Sequence, residues 1–182
     1  MLMATDMPLF TPMDKSRKNL TAREVVLFGL LACLTFAAKM VMAAFPNIEP
    51  VSLFVMLFAV VFGKKAFFPI YIYVALEFVL WPVGLWNLNY LYIWLIPTSA
   101  AFCLRKMTHP LGWAILSGAF GLLFGLFSAP IYWITGGSRF AVAWWLSGIP
   151  YDLIHCAANF FISLFLFCPL RSLLERLYCN FI

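Results

Sequence analysis

The chain has 182 residues, of which 65% are hydrophobic and only 10% charged, with a formal charge of +5. An ordinary soluble domain is roughly 25% charged, and a surface made of the Phe, Leu, Trp and Val available here would form apolar patches that water does not tolerate. A water-soluble globule is therefore excluded, and a bilayer is the solvent that fits.

A polar tail occupies 1–20. The first apolar run, 25–44, is interrupted only by Lys39 and ended by Pro46; it approaches the roughly 20 residues that cross a hydrocarbon core, too long for a cleaved signal. The next run, 51–80, has Gly63-Lys64-Lys65 in its middle. One continuous helix would hold both lysines at the bilayer centre, at roughly 2.5–3.5 kcal/mol each, so two short tilted helices joined by a basic turn are expected. The fourth span is 88–104, with a kink at Pro97 and Arg105-Lys106 at its end. The fifth is 111–134, Gly-rich and with Pro130 near its end. A loop over 135–149 leads to the sixth, 151–170, and a short tail holding Arg171, Glu175 and Arg176.

This reading predicts an all-α integral membrane protein of six transmembrane helices. Its parts are a tail 1–20, a membrane domain 21–174 and a tail 175–182. Ten of the twelve basic residues (Lys15, Arg17, Lys18, Arg23, Lys64, Lys65, Arg105, Lys106, Arg171 and Arg176) then fall on one side. The positive-inside rule makes that side, and both termini, cytoplasmic.

Mapped onto this topology, the costly polar groups gather in the outer half. Lys39 is in the outer third of the first span, Glu77 near the outer end of the third, and Asn47 and Glu49 in the first outer loop. Asp152, His155 and Asn159 follow at spacings of three and four, which gives them one helix face. Buried charges in membranes mark ligand or ion paths, and confinement to one half describes a cup open to the outside rather than a relay. Aromatic residues would rim it: Trp81, Trp86, Tyr90, Tyr92 and Trp94 on one side, Tyr132, Trp133, Trp144, Trp145 and Tyr151 on the other. Interfacial anchoring accounts for such rings equally well.

Each polar residue also has a structural reading. Lys39 and Glu77 fit a mutual ion pair as well as ligand contacts, Asp152 fits a helix cap, and His155 fits either a hydrogen-bonded core residue or a metal ligand. Asn87 and Asn89 fit turn positions or contacts to a neutral polar ligand. Arg139 is the lone base among the outer loops. Gly29, Cys33 and Ala37 repeat every fourth residue, the small-residue pattern by which membrane helices approach closely; the neighbour is either a helix of this chain or a separate protein.

The basic residues are too scattered for a nucleic-acid surface. Cys33, Cys103, Cys156, Cys168 and Cys179 are odd in number without a CxxC pair, so neither a disulfide framework nor a zinc site is indicated. Gly63-Lys64-Lys65 lacks the upstream Gly and the Ser or Thr of a phosphate loop. There is no HExxH and no nucleophile beside a base, so no enzyme activity, nucleotide site, metal or resident cofactor is expected.

A chain of this layout, with Phe45-Pro46-Asn47-Ile48-Glu49-Pro50-Val51-Ser52-Leu53 followed by Gly63-Lys64-Lys65, resembles the substrate-binding S component of energy-coupling factor (ECF) vitamin transporters. The resemblance covers about 20–174, and its pattern is most like the cobalamin-type S component. It implies a transmembrane scaffold subunit and two cytoplasmic ATPases as partners, ATP being bound only by the latter. It also implies a prokaryotic plasma membrane and a mechanism in which the S component topples in the bilayer. The family's first-helix motif is Ala-xxx-Ala, so Gly29, Cys33 and Ala37 would contact the scaffold, with Cys33 departing from the motif. Other vitamins such as pantothenate or folate, an intramembrane enzyme using Asp152 and His155 on a lipid, and a ligand-free membrane scaffold remain as alternatives.

Overall fold

The computed structural model describes residues 20–45 and 47–181. Nearly all of the expected N-terminal tail, with Lys15, Arg17 and Lys18, and the span-ending Pro46 lie outside the described residues. Those described form helices and turns, with no strand among them. Three helical stretches, Ala22–Val41, Val51–Leu80 and Pro110–Asn180, are long and apolar enough to cross a membrane.

Helix α1 (Ala22–Val41) begins at a capping box. Thr21 Oγ1 accepts from Glu24 N at 3.2 Å and the Glu24 carboxylate accepts from Thr21 N at 2.9 Å, satisfying two of the donors that a helix start leaves free. Glu24, Phe28, Ala32 and Thr35 recur every three or four residues and are buried, whereas Val25, Val26, Leu30 and Leu34 are exposed. Such a face is costly in water and neutral in lipid.

Helix α2 (Val51–Phe62) is buried on nearly every side. Gly63 ends it with φ 58° and ψ −126°, a left-handed conformation that glycine adopts without Cβ strain. A 3-10 turn over Gly63–Ala66 then leads into α3 (Phe67–Leu80). Two ion pairs fix the direction. Lys65 reaches Glu24 at the start of α1, and Glu77, twelve residues on, reaches Lys39 near the end of α1. Helices α1 and α3 therefore run parallel and pack directly on each other, α2 runs the opposite way and packs chiefly on the later helices of the chain, and the lysine turn sits at one end of the body, as expected from the sequence.

The chain then makes the short α4 (Leu85–Tyr90), where Asn87 Oδ1 accepts from Gly84 N at 2.7 Å, and α5 (Leu95–Cys103). The expected helix over 88–104 is thus two helices joined by a turn at 91–94. Pro97 does not kink it: the residue lies in the first turn of α5, where a missing backbone N–H costs nothing. Helix α6 (Pro110–Leu122) starts with His109 Nδ1 accepting from Leu111 N at 3.2 Å.

Helix α7 (Phe124–Phe181) consists of two arms, 124–136 and 138–181, that meet at Gly137 with φ 78° and ψ 177°. The expected loop over 135–149 is therefore helical apart from that one reversal. Glycine turns the chain within a single residue, and the apolar residues beyond it zip back onto the first arm, with Tyr132 stacked on Trp144 at 3.8 Å. The same antiparallel pairing continues through Gly125–Asp152, Gly121–His155 and Gly118–Phe160 to Trp113–Phe167, stacked at 4.1 Å. The residues after 170 also remain helical, and Tyr178 is buried against Phe62 and Glu24.

Candidate functional site

The two ends of the body differ chemically. At one end, Glu24 Oε1 accepts from Lys65 Nζ at 2.6 Å and from Tyr178 Oη at 2.7 Å. Arg105, Lys106 and Arg171 lie at this end too, Arg171 donating to the Met107 carbonyl at 3.1 Å and to Glu175 at 2.9 Å. The opposite end holds most of the polar residues singled out from the sequence.

There, Lys39 Nζ donates to both Glu77 oxygens at 2.9 Å and to Tyr90 Oη at 3.1 Å. The Lys39 ammonium also lies 4.9 Å from the Tyr90 ring centroid and 5.4 Å from that of Trp86, an arrangement that attracts a cation electrostatically. Glu77 is fully buried. Its position follows from the sequence: Tyr73 and Glu77 are four apart on α3, and both turn inward with Ile70 and Val74. Glu49, in the loop before α2, is half-buried. Burial pushes its carboxyl above the ordinary value, and the Lys39 ammonium opposes the rise.

A chain of rings leads inward from this pair. Tyr90 meets Trp94 at 5.2 Å, Trp94 meets Phe120 and Phe124 at 6.0 and 6.4 Å, and Phe124 meets His155 at 5.0 Å. Trp94 Nε1, Tyr73 Oη and His155 Nε2 are buried without a hydrogen-bond partner. Beyond them Asn159 Nδ2 donates to Ser52 Oγ at 3.1 Å, while the Ser117 hydroxyl is unpartnered. Unsatisfied buried donors are uncommon in proteins and call for a specific explanation.

Lys39, Glu77, Tyr90, Trp94 and His155 are thus joined through one interior, with Asn159 one helical turn beyond His155 and Trp86 meeting Tyr90 from the exposed side at 5.5 Å. Asp152 is buried beside it with a different partner: its two oxygens accept from Gly125 N at 3.1 and 3.2 Å. It acts as a cap, as one reading of the sequence allowed, but on the first arm of α7 rather than on its own helix. Asn87 serves its own turn, and Asn89 accepts from Tyr92 Oη at 3.0 Å. Tyr132 and Trp144 stack on each other. Trp81 and Tyr151 are exposed, Arg139 is exposed beside Gly137, and Asn47 is exposed with φ 57°; the structure does not bring these four to the interior.

Tyr73, Phe120, Phe124, Ser52 and Ser117 were not foreseen as part of this region. The signal for Tyr73 was its four-residue spacing from Glu77; the others depend on tertiary packing. Hollows of about 480 and 380 Å³ lie on outer faces, the first lined by Phe67, Phe68, Tyr71, Ile72 and Ala75, the second bordered by Arg139. Rings fill the region where a wide cup was expected.

On α1, Cys33 and Ala37 are exposed and Gly29 is partly so, and a Cβ added at Gly29 would meet no atom within 4 Å. The small-residue stripe therefore faces outward, uncovered by any described helix of this chain. Comparison with known proteins returns no matching family model, no matching characterised protein and no matching solved structure.

Proposed function

We propose that this chain is the substrate-binding S component of an ECF-type transporter, six passes of which cross a prokaryotic plasma membrane with both termini cytoplasmic. It binds a vitamin, with cobalamin the first candidate, at the end where Lys39 and Glu77 lie. A scaffold subunit and two ATPases drive its toppling.

The observation that carries this reading is the segregation of polarity. Buried hydrogen-bonding groups left without a partner, Trp94, Tyr73 and His155, lie along the rings that lead inward from the Lys39–Glu77 pair, whereas the buried Glu24 carboxylate at the opposite, basic end is engaged by Lys65 and Tyr178. Two further features agree with it. Much of the outside is apolar, from Leu30 and Val41 to Phe165 and Leu166, so the body drags few charges through lipid as it turns. The stripe Gly29, Cys33 and Ala37 is open for a partner helix, whose approach small side chains permit.

The test is uptake of radiolabelled cobalamin into vesicles containing the chain with scaffold and ATPase subunits. Uptake that requires ATP hydrolysis is expected. Gly29→Trp is expected to abolish uptake and co-purification of the ATPases while ligand binding by the isolated chain persists. Absence of both cobalamin binding and co-purifying ATPases would overturn the assignment; binding of a different vitamin would replace cobalamin alone.

A further inference from the structure

The basic end carries more cationic charge than the described acidic residues neutralise. Among the acidic residues described there, Glu24 is engaged by Lys65 and Tyr178, and Glu175 by Arg171. Lys64 and Lys65 are adjacent in sequence but differently placed: Lys65 enters the buried pair, whereas Lys64 is exposed and makes no ion pair with any described residue. Arg105 is close by. The Phe102 ring comes within 3.7 Å of where a Cβ on Gly63 would lie, and the Arg105 guanidinium sits 5.0 Å from the centroid of that ring. Lys106 follows, also exposed and without an acidic partner among the described residues.

One helical turn beyond Lys64, on the outer face of α3, lies the shallow, open depression of about 480 Å³ lined by Phe67, Phe68, Tyr71, Ile72 and Ala75. Its walls are held in place. Phe68 stacks on Phe28 at 6.3 Å, and Tyr71 Oη donates to the Leu91 carbonyl at 2.9 Å. A basic cluster unmatched by described acidic residues, one helical turn from an open apolar depression, matches a ligand with an anionic head and a hydrocarbon tail, and basic pockets beside membrane helices bind anionic headgroups.

We infer that this region is a binding site for one anionic phospholipid, its phosphate between Lys64 and Arg105 and one acyl chain along Phe67, Tyr71, Ile72 and Ala75. The site lies at the end opposite Lys39 and Glu77 and is independent of the transport reading; it requires only that the helices lie in a bilayer.

The experiment measures lipid retention by native mass spectrometry and thermal unfolding of the purified full chain in detergent, with phosphatidylglycerol, phosphatidylcholine or inorganic phosphate added. Phosphatidylglycerol is expected to be retained and to raise the unfolding midpoint, and the other two are not. Lys64→Gln and Arg105→Gln should each weaken phosphatidylglycerol binding roughly fivefold. Ala75→Trp, which fills the hollow and leaves the charges in place, should also reduce retention, while Lys64→Arg should preserve it. Lys64, Ala75, Arg105 and Arg176 are all exposed, and midpoints in lipid-free detergent verify that each variant folds. Equal stabilisation by phosphatidylcholine, an equal response to phosphate alone, or an equal loss in Arg176→Gln, on the C-terminal arm, would each overturn the site.

Discussion

Lys39 and Glu77 form the pair whose energetics can be read most directly. Glu77 is fully buried and the Lys39 side chain is 18% exposed, so removing one partner leaves a charge largely cut off from water. Lys39→Met or Glu77→Met alone should cost about 3–5 kcal/mol of stability, whereas replacing both should cost less than either single change. A double-mutant cycle on unfolding in detergent checks this, and additive costs would mean that the two side chains do not depend on each other. The pair was one of two readings open from sequence, because thirty-eight positions of separation carry no spacing signal of their own. Depth in the first and third spans placed both groups near one end, and the parallel course of α1 and α3 brought them together. The Lys65–Glu24 pair had no comparable signal: Glu24 reads locally as a capping-box residue, which it also is.

At the scale of elements, α6 and the second arm of α7 approach each other backbone to backbone. A Cβ on Gly121 would lie 2.8 Å from the backbone carbon and oxygen of His155, and one on Gly118 would lie 3.3 Å from Phe160 Cβ. Backbone cannot give way as a side-chain tip can, so Gly121→Ala should destabilise by about 1–3 kcal/mol and disturb His155 along with it. Thermal unfolding checks the first effect and the NMR signals of the His155 imidazole the second; an unchanged midpoint would mean that the helices separate freely. The sequence shows that 111–134 is Gly-rich, but neither the tight crossing nor its partner was foreseen from it. The helical course of 135–149 was hidden for a related reason. Gly136-Gly137 and Pro150 read locally as breakers, yet only Gly137 breaks the helix, since Pro150 lies in an arm that packing against 124–136 supports.

Across the whole molecule, the apolar spans and the lysine turn were legible because hydrocarbon solvation acts on each segment independently. The closure of the chain was not, because it depends on contacts between distant segments. Tyr178, at the far end of α7, donates to Glu24 across 154 residues of sequence and packs its ring 4.8 Å from Phe62. A hydrogen bond to a charged, buried acceptor contributes about 1.5–3 kcal/mol, so Tyr178→Phe should lower stability by that order while keeping the ring contact. Comparing Tyr178→Phe with Tyr178→Ala in thermal unfolding separates the hydroxyl from the ring; a Phe variant as stable as the parent would show that Lys65 alone satisfies Glu24.

The two ion pairs along α1 and α3 have a mechanical consequence. Glu24 and Lys39 are fifteen positions apart on α1, about 22 Å at 1.5 Å per residue; Lys39 is tied to α3 through Glu77, and Glu24 to Lys65 in the turn that leads into α3. A helix fastened to its neighbour at both extremities cannot slide like a piston or swing out from one hinge without rupturing a fastening. Traction on the uncovered flank of α1 is consequently shared with α3, and whatever grips that flank moves both helices as one strut.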